Sequence, residues 1–303
     1  MPPELAPLLA YLKVSYDQFS VVEDKYFARL GELLTYHNII PAGTVVNRSN
    51  FSDWVKAFQN TVMGSANPDG IPGEDTLWAM QQDWAPTRGL KLVNRGVPND
   101  PFPGAIYPFT LRSDVAALYL DFYNEVHDNA GVITSSGSIR DLSVVAGPGQ
   151  SATSMHYTGI ALDVYTNSGM TKLAADAYIV ERVGSRRWQV WNKVAAPNGS
   201  ARQMNAVIYN TNTKSTSMQA VNASVIDFTA IAAKHGFANI GSRGCFPAQY
   251  ICAEWWHFQC EQVLVPYISQ FGAELLTIYS AAKLTANAPI WQARKKIYKR
   301  DWN

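Results

Sequence analysis

The sequence predicts an α+β protein: a small all-helical module, then a larger domain in which helices flank an antiparallel sheet. Three observations carry this. The first 40 residues, including LAPLLAYLKVSYDQFSVVEDKYFARLGELLTYHNII, place apolar side chains at three- and four-residue intervals with no glycine before Gly31, as amphipathic helices do. Between Ala85 and Pro108 that periodicity stops in a stretch rich in proline and glycine. Beyond it, short alternating runs such as GIALDVYT stand between helical ones, and alternation with period two is the mark of a half-buried strand.

Taken in order, NRSNFSDWVKAFQNTVMG reads as a helix with Ser52 as its N-cap. NPDGIPGEDTLWAMQQDW then gives a turn at Asp69-Gly70, followed by Gly73 and a second short helix from about Asp75. Residues 1–85 form the helical module and 86–108 a linker or extended arm. In 109–285, TLRSDVAALYLDFYNEVHDNAG is an amphipathic helix ending at Gly131, and VITSSGSIRD and GIALDVYT are strands. RRWQVWNKV and QMNAVIYNT are two more, separated by the turn APNGS. ASVIDFTAIAAKHGF is a helix closed by Gly236, EWWHFQC a short strand, and VLVPYISQFGAELLTIYSAAKL a final helix. Residues 286–303, with the basic ARKKIYKRDWN, read as a solvated terminal helix.

The chain has 303 residues, 47% of them hydrophobic, enough for about two domains with a real core. A net charge of +1 gives no electrostatic argument for nucleic acid or a membrane surface. No apolar run approaches the roughly 20 residues that span a bilayer. The N-terminal MPPELAPLLAYLKVSYDQF lacks a basic region and a small-residue cleavage site, so it is expected to be part of the fold and not a secretory signal. The three cysteines, Cys245, Cys252 and Cys260, lie within sixteen residues. An odd number is no disulfide framework. A bridge closing CFPAQYIC is open to Cys245 and Cys252, but buried thiols are the expectation in a chain without an export signal. The spacings also lack the close C-x2-C pair of structural zinc sites.

Two of the five histidines stand in patterned company. SMHYTGIALDV sets His156 before a glycine turn and Asp163 on the strand that follows, and AEWWHFQ sets Glu254 three positions before His257. A lone histidine is more often a packing residue than a ligand, which suits His37, His127 and His235. Catalytic zinc sites, however, keep three protein ligands and leave a fourth position for water. His156, Asp163 and His257 fit that set for one Zn2+ ion. Glu254, close to the ion but not bound to it, suits a proton shuttle, because a water whose pKa a metal lowers to about 7 still needs a base.

The pattern S-x-H-x-x-G-x-A-x-D from Ser154 to Asp163, with E-W-W-H from Glu254 to His257, resembles the D-alanyl-D-alanine carboxypeptidase and dipeptidase family of zinc peptidases, which includes the L-alanyl-D-glutamate endopeptidases of phage lysins. SSGSIRD and AAKHGF resemble further segments of that family, and the likeness runs roughly from Phe109 to Leu284. The resemblance implies His156, Asp163 and His257 as zinc ligands and Glu254 as catalytic base. It also implies Arg140 as a stabiliser of the oxyanion or of a substrate carboxylate, a role suited to a fixed guanidinium fork. Ser154, which has no base to activate it, is expected to orient the loop or a ligand, and Trp256 to contact substrate. Residues 165–220 exceed what a minimal member needs and are expected to add a hairpin at the cleft rim, with SRRW and NTNTKSTS as candidate contacts.

Phe51 to Trp84 is similar to the small helical peptidoglycan-binding module, with its Asp-Gly-x-x-Gly-x-x-Thr turn at Asp69, Gly70, Gly73 and Thr76. A tethered wall-binding module would raise the effective concentration of enzyme at an insoluble substrate. Together the resemblances imply a monomeric metallopeptidase acting on the stem peptides of bacterial peptidoglycan. A phage endolysin or an injected cell-wall-degrading toxin would be made without a signal peptide and would reach the wall by release or injection. The alternatives are a non-catalytic peptidoglycan-binding or virion structural protein that retains the zinc fold, and a cytoplasmic dipeptidase.

Overall fold

The computed structural model describes residues 2–96, 107–147, 150–172 and 176–299. The fold is α+β with antiparallel sheets. The chain divides into two compact units: residues 1–90 together with 264–303, and residues 91–263.

The first unit is helical. Helices α1 (Ala6–Leu12), α2 (Tyr16–Ser20) and α3 (Glu23–Tyr36) follow one another, with Ser15 and Gln18 forming a capping box at the start of α2. On α3, Tyr26, Phe27, Leu30, Leu33 and Leu34 are buried, a spacing that puts them on one face at 3.6 residues per turn. Phe51, Val55 and Phe58 do the same on α4 (Phe51–Thr61). This helix begins one residue before Ser52, with Asn50 at the cap position, so Ser52 is in its first turn and not its N-cap. Helix α5 (Glu74–Gln81) follows the Asp69-Gly70 turn.

Residues 264–299 belong to this unit and not to the second, so the expected domain end at 285 and the separate tail from 286 do not describe the packing. Tyr267, Ile268 and Ile297 lie in the same core as Leu5, Leu30 and Phe58. The single long helix expected over 263–284 is instead two short ones, Phe271–Leu276 and Ala281–Thr285, and a third, Ala288–Trp291, follows beyond it. Pro266 has no N–H to continue a helix, Tyr267 has a positive φ of 66°, and Ser280 caps a new start by accepting from the Lys283 N–H. The basic segment is not solvated throughout. Ile297 and Tyr298 are buried, and the Tyr298 carbonyl accepts from the Tyr267 N–H.

The second unit opens with a two-stranded pair, β1 (Leu92–Asn94) and β2 (Thr110–Arg112). Parts of the expected linker are therefore ordered structure; residues 97–106 of it lie outside the described residues. Helix α6 (Ser113–Asp128) buries Val115, Ala116, Tyr119, Phe122 and Val126. Segment 132–141 is not the expected strand. It makes one bridge, Gly137 to Asp163, and Gly137 has φ 102°. Its hydroxyls bond to neighbouring segments, as where Ser138 Oγ donates to the Thr110 carbonyl of β2.

Strand β3 (Ala161–Asp163) is an edge of a three-stranded antiparallel sheet. The excursion that follows is larger than the expected hairpin. Strands β4 (Tyr178–Arg182), β5 (Trp188–Lys193), β6 (Ser200–Asn210) and β7 (Ser215–Asp227) close into a small barrel of order β4-β5-β7-β6. Its core holds Ile179, Trp191, Met204, Ala206 and Val225. Asp227 ends β7 and caps α7 (Phe228–Lys234) by accepting from the Ala230 N–H at 2.8 Å. The chain returns to the first sheet through β8 (Phe237–Asn239) and β9 (His257–Cys260), giving the order β3-β9-β8.

Candidate metal centre

The centre is assembled by one turn and one strand pair. Ser154 caps a short 3-10 turn, Met155–Thr158, its side chain accepting from the His156 N–H. Gly159 ends the turn with φ 68°. A Cβ there would lie 2.8 Å from Leu92 Cδ2 and 3.0 Å from the Arg112 backbone nitrogen. Only glycine meets both demands. The turn lays His156 back over β3, and in the β3–β9 register Asp163 is paired directly with His257.

As a result His156 Nε2 is 3.1 Å and His257 Nδ1 is 3.0 Å from the same atom, Asp163 Oδ1. The imidazole rings stand edge to face, with centroids 4.7 Å apart. Both histidines are buried and Asp163 is half-buried. The three side chains form a group that can hold a metal ion, with ligand atoms all within 4.8 Å of one another.

The chemistry of the donor set fits a cation. His156 Nδ1 donates to the Ser138 carbonyl in a short contact. In a neutral imidazole this leaves a lone pair on Nε2, turned towards a carboxylate oxygen that also carries lone pairs. Two acceptors at that distance repel unless positive charge lies between them. A tetrahedral ion with ligand bonds of about 2.0–2.2 Å sets its donors roughly 3.3–3.5 Å apart, close to the separations found. The Ser138 carbonyl is the kind of outer partner that fixes the tautomer of a ligating histidine.

The same crowding shows in the electrostatics. Burial acts to depress the His156 imidazolium, but Asp163 and the Ser138 carbonyl outweigh it, and the net shift is upward. Burial acts to raise Asp163, yet His156 and His257 hold it well below the ordinary carboxylate range.

Glu254 is buried, and burial raises its carboxyl above the usual value despite the pull of His257 and Arg243. The charges of Asp163 and His156 also act on it, so it stands beside the triad without belonging to the ligand group. Its backbone is left-handed, with φ 54°, an uncommon state for a residue other than glycine. Its neighbours pin it there: the Ala253 carbonyl accepts from Trp188 Nε1, and the Glu254 carbonyl accepts from the His257 N–H.

Arg140 is adjacent to the centre. Its backbone N–H donates to the His156 carbonyl, its guanidinium lies 5.3 Å over the Tyr157 ring, and its charge opposes protonation of His156. Its Nη1 is buried with no hydrogen-bond partner among the described residues. Trp256 is not placed as expected. It is 1% exposed and packs between Tyr250 and Trp255, so it is core behind the centre and not a surface for substrate. Ser154 uses its hydroxyl as the cap of the His156 turn.

One feature escaped the sequence, and one pairing that the sequence left open is formed. Arg243 Nη2 forms a short ion pair with Glu254 Oε1, a pairing no motif announces. Cys245 and Cys252 form a disulfide, Cα–Cα 5.7 Å, while Cys260 is a buried free thiol. The expectation of three thiols is thus corrected: the loop between the first two brings their Cα atoms within bridging distance.

Comparison of the chain with protein-family models, with curated proteins and with solved structures finds no match. Among the described residues no helix is long and apolar enough to cross a membrane.

Proposed function

We propose that the protein is a zinc-dependent peptidase that hydrolyses amide bonds in peptidoglycan stem peptides, as a phage endolysin or an injected cell-wall-degrading toxin. The observation that carries this reading is the convergence of two imidazoles and one carboxylate with a fourth group outside the ligand set, the Glu254 carboxylate, buried beside them. A purely structural site has no need of the fourth group. His156, Asp163 and His257 would hold the ion, which supplies Lewis acidity and a water of lowered pKa.

The remaining work falls to the protein. Glu254, held in a buried position, takes a proton from the attacking water and returns it to the leaving amine. Its raised affinity for protons suits a group that must do both. Arg140, with a buried donor unmatched by any described partner, offers positive charge to an oxyanion or to a substrate carboxylate. The resemblance of Phe51–Trp84 to a peptidoglycan-binding module supports the wall as the place of action.

Mass spectrometry of purified peptidoglycan digested by the zinc-loaded protein, with Glu254→Ala alongside, tests the reading. Free D-alanine would identify a carboxypeptidase, and new internal amino and carboxyl ends an endopeptidase; either is expected to vanish in the variant. An absence of products from both zinc-loaded proteins would overturn the reading in favour of wall binding alone.

A further inference from the structure

We propose that Arg243 is a positioning residue for Glu254, and that the Cys245–Cys252 disulfide is the brace that keeps Arg243 in place, so that the centre is set for reaction only in an oxidising compartment. The inference rests on the peptidase reading and concerns the regulation of that same site.

The geometry is compact. Arg243 stands two residues before Cys245, and Glu254 two residues after Cys252. The disulfide joins the two ends of the intervening loop. The Arg243 N–H donates to the Cys252 carbonyl at 2.8 Å, and the Arg243 guanidinium pairs with Glu254 Oε1. Inside the loop, the Cys245 carbonyl accepts from the Gln249 N–H, and the Gln249 carbonyl from the Cys252 N–H. The covalent link therefore holds together the two strands of chain between which the ion pair forms.

Glu254 needs such support. Its left-handed backbone is a state that persists only where surroundings impose it, and its carboxylate is buried. Of the pair, Glu254 is buried and Arg243 half-buried, and a buried carboxylate that loses its partner is left as an uncompensated charge. With the bridge open, the loop regains the conformational freedom that the cross-link removed, and Arg243 is no longer delivered to one place. His156 and Asp163 are anchored elsewhere, on the 154–159 turn and β3, and His257, whose N–H donates to the Glu254 carbonyl, is also fixed by its register with Asp163 at the start of β9, so ion binding and base positioning are separable.

Closing the bridge removes two electrons and two protons from Cys245 and Cys252. Thiol–disulfide exchange passes them to a small disulfide such as oxidised glutathione, which leaves as two thiols. Reducing cytosol disfavours that step and an extracellular or periplasmic setting favours it. A wall hydrolase controlled in this way is restrained where it is made and competent where its substrate lies.

The test uses the full-length, zinc-loaded chain in four forms: oxidised, Cys245→Ser, Arg243→Ala and Arg243→Lys. Zinc per chain, kcat and KM on a purified stem peptide, and amide hydrogen exchange over 252–257 are measured. Zinc content is expected to stay at one per chain. In Cys245→Ser and Arg243→Ala, kcat should fall about tenfold or more, with KM changed less than about twofold and exchange over 252–257 accelerated. Arg243→Lys should recover part of the loss, because it restores the charge but not the fork. Unchanged kcat and unchanged exchange in Cys245→Ser and Arg243→Ala would overturn the proposal, as would loss of zinc in step with loss of activity. Should the oxidised protein itself cleave nothing, the peptidase reading fails, and exchange over 252–257 still decides whether Arg243 and the bridge brace that segment.

Discussion

Asp163 and His257 are direct cross-strand partners in the β3–β9 pair, and that register brings Asp163 Oδ1 within 3.0 Å of His257 Nδ1. Cross-strand neighbours on one face have Cβ atoms about 4.5–5.5 Å apart, so a carboxylate and an imidazole set opposite each other can share an ion with no help from loop conformation. The third member of the group, His156, comes from the capped turn just before β3. Two members of the group are thus as rigid as the sheet.

Metal binding should accordingly be tight, stabilising and sensitive to acid. Saturating zinc at about 100 times its Kd is expected to stabilise the second unit by about 2.7 kcal/mol, read as a higher melting temperature that a chelator reverses. Asp163→Asn should abolish the zinc-dependent part of the shift. The sign with pH follows from His156, whose affinity for protons in the folded chain is raised by Asp163 and the Ser138 carbonyl against the effect of burial. Protons compete with the ion wherever His156 is charged, so affinity should fall as pH drops through its raised pKa. Equal zinc affinity at pH 5 and pH 8, measured by calorimetry, would count against these ligands.

The grouping of His156, Asp163 and His257 was legible in the sequence because its spacing reflects local structure. A histidine, a glycine turn and an aspartate at the end of a short strand are seven residues apart in the chain and adjacent in space. Glu254 was legible for the same reason, three positions before His257. Arg243 was not, because its pairing depends on a loop closed by a disulfide, and loop shape leaves no period in the sequence. The barrel was also hidden. Much of β6 and β7 is polar and exposed, so it lacks clean alternation, and Val225, Ile226 and Asp227 blended into the apolar pattern of α7. The long-range partnership of 264–299 with the first 90 residues was equally illegible. Periodicity shows that Ile268 and Ile297 have apolar faces to bury, not which core receives them.

Gly159→Ala should be among the most damaging single changes in the second unit. The added Cβ would meet Leu92 and the Arg112 backbone at 2.8 and 3.0 Å, in a left-handed conformation. Left-handed strain alone costs of order 1–3 kcal/mol, and the backbone contact adds to it. Urea unfolding should show a loss of at least about 2 kcal/mol, and zinc affinity should weaken because the turn carries His156. A loss below about 0.5 kcal/mol would mean that the close approach is not real.

In the first unit, Gln59 is expected to hold the Asp69-Gly70 turn. Its amide donates to Asp69 Oδ1 at 2.7 Å and to Thr76 Oγ1 at 3.2 Å, and its carbonyl accepts from the Gly70 N–H at 2.9 Å. One side chain on α4 thus ties the turn to the start of α5. Gln59→Ala removes these three bonds and a fourth, to the Ile71 carbonyl at 3.3 Å, and leaves the buried Gly70 N–H unmatched, at about 1–3 kcal/mol for such a group. Thermal melts should show this loss, while Asn47→Ala, on an exposed loop, should shift the melt far less. If Gln59→Ala melts with the wild type, the turn is held by something other than this side chain.

Asp176 supplies a pH test free of the metal question. It is buried, and burial pushes its carboxyl up to about 6 from 3.8, against the pull of the Gly169 amide and of Lys193. A raised carboxyl pKa means that between about pH 4 and pH 6 the folded chain keeps a proton that the unfolded chain has released. Stability must then fall as pH rises through that window and stay lower above it. Each tenfold change in proton affinity is worth about 1.4 kcal/mol, so the fall is at most about 3 kcal/mol, and screening by nearby solvent lowers it further. Asp176→Asn has nothing to titrate at this position. The wild type should therefore lose stability relative to Asp176→Asn from pH 4 to pH 6.5, measured as the difference between paired urea titrations so that all other groups cancel. Parallel curves across that range would show that the Asp176 carboxyl reaches solvent in the folded protein and titrates as it does in the unfolded chain.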